Sequence, residues 1–217
     1  MRNLLLLLCI LSITISAKAQ FWGKKYIKGA YYDLEGKRIS GLVYWFPPKK
    51  SHKGPYEIYY KPDKSSKESK ISTDNISAFI TDRDDDGMVD SFNVARNTFF
   101  ENNPLIHVLS TKNELKLFGT SISFVQSEPG GSASGVYTYT KTTYYFGPDI
   151  DHLTILDKKN FMEMMPMIMA DKPEAVNRIK NKKLRFSDMD DLLYFYKYDV
   201  MPPMNAPYRE AFEGLKE

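Results

Sequence analysis

The chain has 217 residues, of which 30 are Lys or Arg and 27 are Asp or Glu, for a formal net charge of +3. This near balance provides no strong overall field, which argues against nucleic-acid binding and against charge-driven attachment to an anionic membrane. The single cysteine, Cys9, has no partner for an intrachain disulfide. The chain is nevertheless long enough to bury a sizeable hydrophobic core without disulfides.

Residues 1–19 predict a secretory signal peptide. Arg2 gives a charged start, residues 4–15 form an apolar run, and Ala17-Lys18-Ala19 is a small-x-small cleavage site. The run is too short to cross a membrane, and no second apolar stretch follows it. Cleavage after Ala19 would remove two basic residues and no acids, which leaves 28 basic and 27 acidic residues. We therefore expect an exported protein, periplasmic or secreted, with no transmembrane segment after cleavage.

Residues 26–156 predict an antiparallel β domain, because short apolar segments alternate with turn signals. The predicted strands are KGAYYD, RISGLVYWF, YEIYY, ISAFI, SFNVA, LIHVLST, LKLFGT, ISFVQ, VYTYTKTTYYF and HLTIL. The polar residues 61–69 and the segment EPGGSASG at 128–135 are expected to be loops. Strands of this length and spacing predict an antiparallel β-sandwich or a partly open barrel.

After the last strand the apolar period changes from two to about 3.6, which predicts a C-terminal helical segment, residues 157–217, packed on the β domain. Pro166 should kink the first helix, and Pro173 should open the second. Ser187 with Asp190 three residues later forms a variant capping box for a third helix. The apolar stripe of that helix, expected to be buried on the β domain, contains Met189, Leu192, Leu193 and Tyr196.

An acidic loop separates ISAFI from SFNVA. Numbered from Asp82, it places Asp at positions 1, 3, 5 and 9 and Gly at position 6, as EF-hand-like calcium loops do. Position 12 is Asn93 instead of a bidentate Glu, so any calcium affinity would be weak. The candidate metal ligands are the side chains of Asp82, Asp84, Asp86 and Asp90 and the carbonyl of Met88. Calcium is the one cofactor that the sequence suggests, and a solvated acidic loop is the alternative.

Strand register distinguishes two forms of this hairpin. A two-residue turn at Asp86-Gly87 pairs residues whose numbers sum to 173, which sets Ile80 opposite Asn93. A sum of 172 sets Ile80 opposite Phe92 instead, so that apolar side chains share one face. We expect the second register, with a longer loop over about residues 82–90.

The candidate ligand-binding residues are three tyrosines of the strand VYTYTKTTYYF. Tyr137, Tyr139 and Tyr145 share one face of that strand, where they could stack on sugar rings. Aromatic residues are also ordinary strand formers, which is the alternative interpretation. His107 alternates within LIHVLST and is expected to be a sheet residue rather than a metal ligand. The sequence contains no G-x-S-x-G, no H-E-x-x-H and no phosphate-binding glycine loop, so no catalytic residue is predicted.

Three segments carry a resemblance to a known family. They are KG-x-Y-x-x-x-x-G-x-x-I-x-G, then ISAF…DSFNVARN, then TTYYF…LDKKNFMEMMP…RIKNKKLRFSDMDDLLYFY. Through most of residues 28–198 the chain resembles uncharacterised secreted or periplasmic β-rich proteins of Gram-negative bacteria. In that family the strands around DSF are joined without the acidic insert, which implies that the loop is a local elaboration. The resemblance carries no activity.

The leading hypothesis is an exported, non-enzymatic binding or structural module of the bacterial cell envelope, with an envelope protein or a glycan as partner. A calcium-stabilised β module, using the loop 82–93, and an envelope enzyme are the alternatives. A buried polar cleft that gathers three or more ionisable side chains would favour the enzyme. A flat aromatic sheet face would favour binding.

Overall fold

A computed structural model describes residues 24–52, 55–82, 89–101, 103–127 and 136–201; the side chains of residues 126, 127, 136 and 137 are not described. Within these residues, ten strands form one sheet in which every strand pair is antiparallel. The strands are β1 (Ile27–Asp33), β2 (Arg38–Tyr44), β3 (Glu57–Lys61), β4 (Ser69–Ser72), β5 (Ile76–Asp82), β6 (Val89–Val94), β7 (Leu105–Ser110), β8 (Lys116–Ser127), β9 (Val136–Gly147) and β10 (Thr154–Leu156).

The strand order is β10-β9-β8-β7-β6-β5-β1-β2-β3-β4, so two meanders meet where β5 pairs with β1. Strands β4 and β10 are the two edges, and the sheet is not closed into a barrel. The predicted class, mainly antiparallel β with C-terminal helices, is confirmed. The sequence predicts a β-sandwich or a partly open barrel, and the structure has a single ten-stranded sheet.

The sheet curls over one of its faces. In a flat sheet β2 and β6 would lie three strand spacings apart, about 14 Å. Trp45, directly after β2, nevertheless has its ring centroid 4.3 Å from that of Phe92 in β6. The segment after Trp45 then reaches β8, where the Ser123 amide donates to the Pro48 carbonyl and the Lys50 amide donates to the Ser123 carbonyl. We call the face that carries Phe92 the inner face.

Two hydrophobic clusters lie on the inner face, and a third lies on the outer face. The first cluster fills the curl and includes Val43, Ile58, Phe79, Phe92 and Leu105. The second joins β8–β10 to the helices and includes Leu117, Leu156, Met165, Ile179 and Leu192. The outer-face cluster includes Phe100, Ile106, Phe118 and Tyr145.

Three helices cover the β8–β10 end of the inner face: α1 (Phe161–Ile168), α2 (Pro173–Lys180) and α3 (Met189–Tyr198). Pro166 lies inside α1, where a kink stays a prediction, and Pro173 opens α2 as predicted. The predicted capping box was displaced, because a 3₁₀ turn (Phe186–Asp188) precedes α3. There Asp188 accepts a hydrogen bond from the Arg185 amide, and the Asp188 amide donates to the Arg185 carbonyl.

The apolar stripe of α3 was predicted almost correctly. Its buried residues are Met189, Leu192, Phe195 and Tyr196. Leu193 was expected to be buried with them, but it is only half-buried. It lies beside the stripe and packs against the edge of the core.

The predicted register of the β5–β6 hairpin was wrong by one residue. Paired residues sum to 171, so Phe79 faces Phe92 and Asp82 faces Val89. The two Phe rings stack with centroids 4.6 Å apart and planes 7° apart. Aromatic stacking inside the curl therefore sets the register, whereas aligning Ile80 with Phe92 would have broken it. The loop residues 83–88 lie outside the described residues.

Candidate functional site

A cleft of about 540 Å³ lies on the inner face, between the two clusters of that face and under α3. This volume is in the range of small-ligand sites in proteins. The described residues that line it belong to β6–β9, to the turn after β7 and to α3; they are Val89, Asp90, His107, Val108, Leu109, Lys112, Gly119, Ser121, Thr142, Tyr144, Asp190, Leu193, Tyr194, Tyr196, Lys197 and Tyr198.

Strand register brings the polar floor of the cleft together. His107 pairs with Gly119, which pairs with Tyr144, and Ser121 pairs with Thr142. Directly opposed residues share a sheet face, so these side chains all point to the inner face. The Ser121 and Thr142 hydroxyls lie 3.0 Å apart. Small side chains at this point leave the space that the cleft occupies.

Gly119 is the central residue of the floor. A Cβ atom there would lie 3.2 Å from the Leu109 Cδ1 atom and 3.3 Å from the Thr142 Cγ2 atom. Those are tight contacts, so a larger side chain must project into the cleft and push its neighbours. Glycine therefore keeps the floor open.

His107 and Asp90 form a half-buried pair at one side of the floor. The His107 Nε2 atom is 3.4 Å from the Asp90 Oδ1 atom, and the two side chains are 27% and 19% exposed. The imidazole also stacks on Phe92, with centroids 4.5 Å apart and planes 17° apart. The ring is thus held in orientation by an aromatic neighbour and a carboxylate, as a functional histidine must be.

Helix α3 forms the wall of the cleft. Asp190, Leu193, Tyr194 and Lys197 follow the i, i+3, i+4, i+7 spacing of one helical face, next to the buried stripe. The Tyr144 hydroxyl donates to the Asp190 Oδ1 atom at 3.3 Å and so joins floor to wall. Burial, with the negative charge of Asp190, raises the pKa of Tyr144 well above its ordinary value, so the hydroxyl remains a donor.

The rim of the cleft combines cations with tyrosines. The Lys112 Nζ atom is 4.0 Å from the Asp171 Oδ2 atom, and the Lys197 Nζ atom is 5.6 Å from the Tyr198 ring centroid. The Tyr194 and Tyr198 rings pack with centroids 4.5 Å apart. Deeper in, the Tyr196 hydroxyl accepts a hydrogen bond from Ser110. The cleft therefore offers carboxylates, hydroxyls and aromatic rings around one space.

The predicted calcium ligands fall mostly outside the described residues. Asp84, Asp86 and Met88 belong to the undescribed loop. Asp82 and Asp90 are strand residues in adjacent pairs, Asp82 with Val89 and Thr81 with Asp90, so their side chains leave opposite faces of the hairpin. Among the residues that the structure describes, no three His, Cys, Asp or Glu side chains form a metal-binding group. Calcium binding by the loop stays a prediction.

Of the three tyrosines predicted to bind a glycan, Tyr139 and Tyr145 lie on the outer face of β9. Tyr145 is only 7% exposed and belongs to the outer-face cluster, so its ring is a core element. Tyr139 stacks on Phe124, with centroids 5.0 Å apart. The side chain of Tyr137 lies outside the description. A glycan role stays a prediction for Tyr137 and Tyr139.

A second aromatic surface lies on the outer face of β2 and β3. Tyr44 has its ring centroid 5.9 Å from that of Tyr26 and 5.7 Å from that of Tyr59. The Lys24 Nζ atom lies 3.4 Å from the Tyr59 centroid, and the Lys61 Nζ atom lies 4.8 Å from the Tyr26 centroid. Because lysines cover these ring faces, the tyrosines of this surface mainly contact each other and the lysines.

Sequence reasoning found only part of the cleft. The sequence predicts Asp90 as a metal ligand, and it correctly predicts that His107 lies in a strand, without a role. For Asp190 it predicts only a capping role. The wall could have been predicted from a second stripe on α3. This stripe is polar and aromatic, and it lies beside the apolar stripe. The floor could not be predicted from local sequence patterns, because its residues come from strands β6 to β9. Only the strand order brings these strands together.

Compared with protein-family models, curated proteins and solved structures, the chain shows no significant match. The family resemblance described above therefore stays a prediction. Among the described helices, none is both long and apolar enough to span a membrane.

Proposed function

We propose that this protein is an exported, non-enzymatic binding module of the bacterial cell envelope that holds a small polar ligand in the cleft under α3. The observation that carries this proposal is the convergence of Asp90, His107, Tyr144 and Asp190 on one space of about 540 Å³. A few directed polar groups in a concave site are typical of small-ligand binding. The signal-peptide pattern of residues 1–19 supports export.

The groups around the cleft are already fixed in place. His107 is held by Phe92 and Asp90, and Tyr144 is held by Asp190. A site with fixed side chains loses little conformational freedom when a ligand binds, and this increases affinity. Binding is the leading function because every one of these groups can act by hydrogen bonding or stacking alone.

An enzyme is the second candidate, and the His107–Asp90 pair is the observation that favours it. A histidine beside a carboxylate can serve as a general base that activates water. With Asp190, Lys112 and Lys197, the described lining of the cleft contains five Asp, His and Lys side chains. Catalysis additionally requires that the reacting bond of the ligand lies next to His107. Binding has no such requirement.

The test is a thermal melt of the purified protein with and without each member of a panel of sugars, amino acids, nucleotides and polyamines. We expect at least one compound to raise the melting temperature, and Gly119→Val to remove that rise by filling the floor. Ser91→Val, on the outer face beside Asp90, is the matched control and should keep the rise. A second filling variant, Leu193→Trp, replaces Gly119→Val if that variant does not fold.

No rise with any compound would contradict the proposal, as would a rise that both filling variants keep. To separate binding from catalysis, the stabilising compound is incubated with the protein and followed by NMR. Conversion that His107→Gln abolishes would establish the enzyme instead.

A further inference from the structure

We propose that the ligand of the cleft is an uncharged saccharide, bound by the carboxylates Asp90 and Asp190 and by the tyrosine wall of α3. This inference rests on the proposed function and names the chemical class of its ligand. It is carried by three features of the described residues: the hydrogen-bonding groups, the aromatic rings and the balance of charge.

The hydrogen-bonding groups suit a ligand with many hydroxyls. Asp90 projects from the floor and Asp190 from the wall, so carboxylates face the cleft from two sides. An ionised carboxylate accepts about four hydrogen bonds, so it can hold a protein partner and a ligand hydroxyl together. Between them lie the Ser121 and Thr142 hydroxyls, which can both donate and accept. Sugar hydroxyls also donate and accept, and so they match both kinds of group.

The aromatic rings supply the other half of sugar recognition. Tyr194 and Tyr198 are half-buried at the wall and pack against each other. A tyrosine offers an apolar ring face together with a hydroxyl, which suits a ligand that has apolar C–H faces and polar edges. The i, i+4 spacing of these tyrosines sets both rings on one side of α3.

The balance of charge argues against a strongly charged ligand. Two carboxylates, Asp90 and Asp190, stand against two rim lysines, Lys112 and Lys197. No arginine is among the described lining residues, whereas phosphate and carboxylate ligands are commonly held by arginine forks. Lys112 is also near the carboxylate of Asp171, which reduces its attraction for an anion.

The experiment is isothermal titration of the purified protein with glucose, galactose, mannose, N-acetylglucosamine, maltose and cellobiose. Inorganic phosphate, glycine and spermidine are titrated in parallel as anionic, zwitterionic and cationic probes. We expect at least one saccharide to bind. Tyr194→Ala should weaken that binding about tenfold or more, while Tyr194→Phe, which keeps the ring, should stay within about threefold. Asp90→Asn should also weaken binding, because an amide has one acceptor oxygen instead of two.

The outcomes separate this inference from the proposed function. Binding of a charged probe alone, lost in Gly119→Val, would keep the cleft as a binding site and overturn the saccharide. Saccharide binding that Tyr194→Ala and Asp90→Asn leave unchanged would place the sugar elsewhere and overturn the inference as well. If no probe binds, both the saccharide and the proposed function fall.

Discussion

At the scale of single residues, Leu192 and Leu193 are neighbours on α3 with different surroundings. Leu192 is fully buried among the second inner-face cluster, while Leu193 is half-buried at the cleft. Leu192→Ala should lower the free energy of unfolding by about 2–5 kcal/mol, because it leaves a cavity in a closed core. Leu193→Ala should cost clearly less. Urea denaturation of both variants measures the difference, and equal losses would contradict the assigned positions.

The buried hydroxyl of Tyr144 predicts how stability changes with pH. Its pKa is raised from 10.0, chiefly by burial, so the folded state favours the neutral hydroxyl. The stabilisation from this group is therefore fully present below about pH 10 and is lost as pH rises towards the folded-state pKa. Above about pH 10 the free energy of unfolding should fall with a slope that approaches about 1.4 kcal/mol per pH unit on account of Tyr144.

Urea denaturation at several alkaline pH values tests this dependence. Tyr144→Phe cannot ionise, so its stability should fall less steeply with pH than that of the wild type. The same slope in both proteins would show that Tyr144 ionises as readily in the folded state as in the unfolded chain.

At the scale of elements, the sequence predicts most strands and helices but not their exact partners. The predicted strand VYTYTKTTYYF coincides with β9 apart from its last residue, and Pro173 does open α2. Strand β4 was missed because SKIS carries little apolar pattern and is an edge strand, held by its pairing with β3. LKLFGT and ISFVQ were separate in the prediction but belong to one strand, β8.

The register of the β5–β6 hairpin could not be predicted for a physical reason. Apolar residues occupy both faces of β5, since Phe79 is inner while Ala78 and Ile80 are outer. The alternation of apolar and polar residues in the hairpin therefore does not show which face is the inner one. The register is decided by contacts of Phe92 with residues outside the hairpin, namely Trp45, directly after β2, and His107 in β7.

The loop between β5 and β6 carries the calcium prediction. With Asn93 at position 12, the expected dissociation constant is about 10⁻⁴–10⁻³ M. At ten times that constant, calcium should stabilise the fold by about 1.4 kcal/mol. A thermal melt with millimolar calcium, compared with one in chelator, measures this, and the double variant Asp84→Ala, Asp86→Ala is the control. No shift in the wild type, or an equal shift in the double variant, would leave a solvated acidic loop.

At the scale of the whole molecule, the cleft results from two properties of the sheet. The curl brings the β2 end over β6, and the helices pack on the β8–β10 end, with α3 reaching β7 through Tyr196 and Ser110, so part of the inner face stays open between them. His107 and Gly119 lie in that interval. Neither property follows from local patterns, because both depend on which distant strands become neighbours. The sequence thus predicts the fold class and the stripe of α3, while the site requires the tertiary structure.

The central claim is that the cleft under α3 binds the ligand. The most direct measurement is an amide ¹H–¹⁵N NMR titration with the saccharide that shows the largest thermal stabilisation. We predict that the shifted amides cluster around Asp90, His107, Gly119, Asp190 and Tyr194, and that Gly119→Val abolishes the shifts. Shifts confined to the outer face, around Tyr139 or Tyr44, with none in the cleft, would contradict the account.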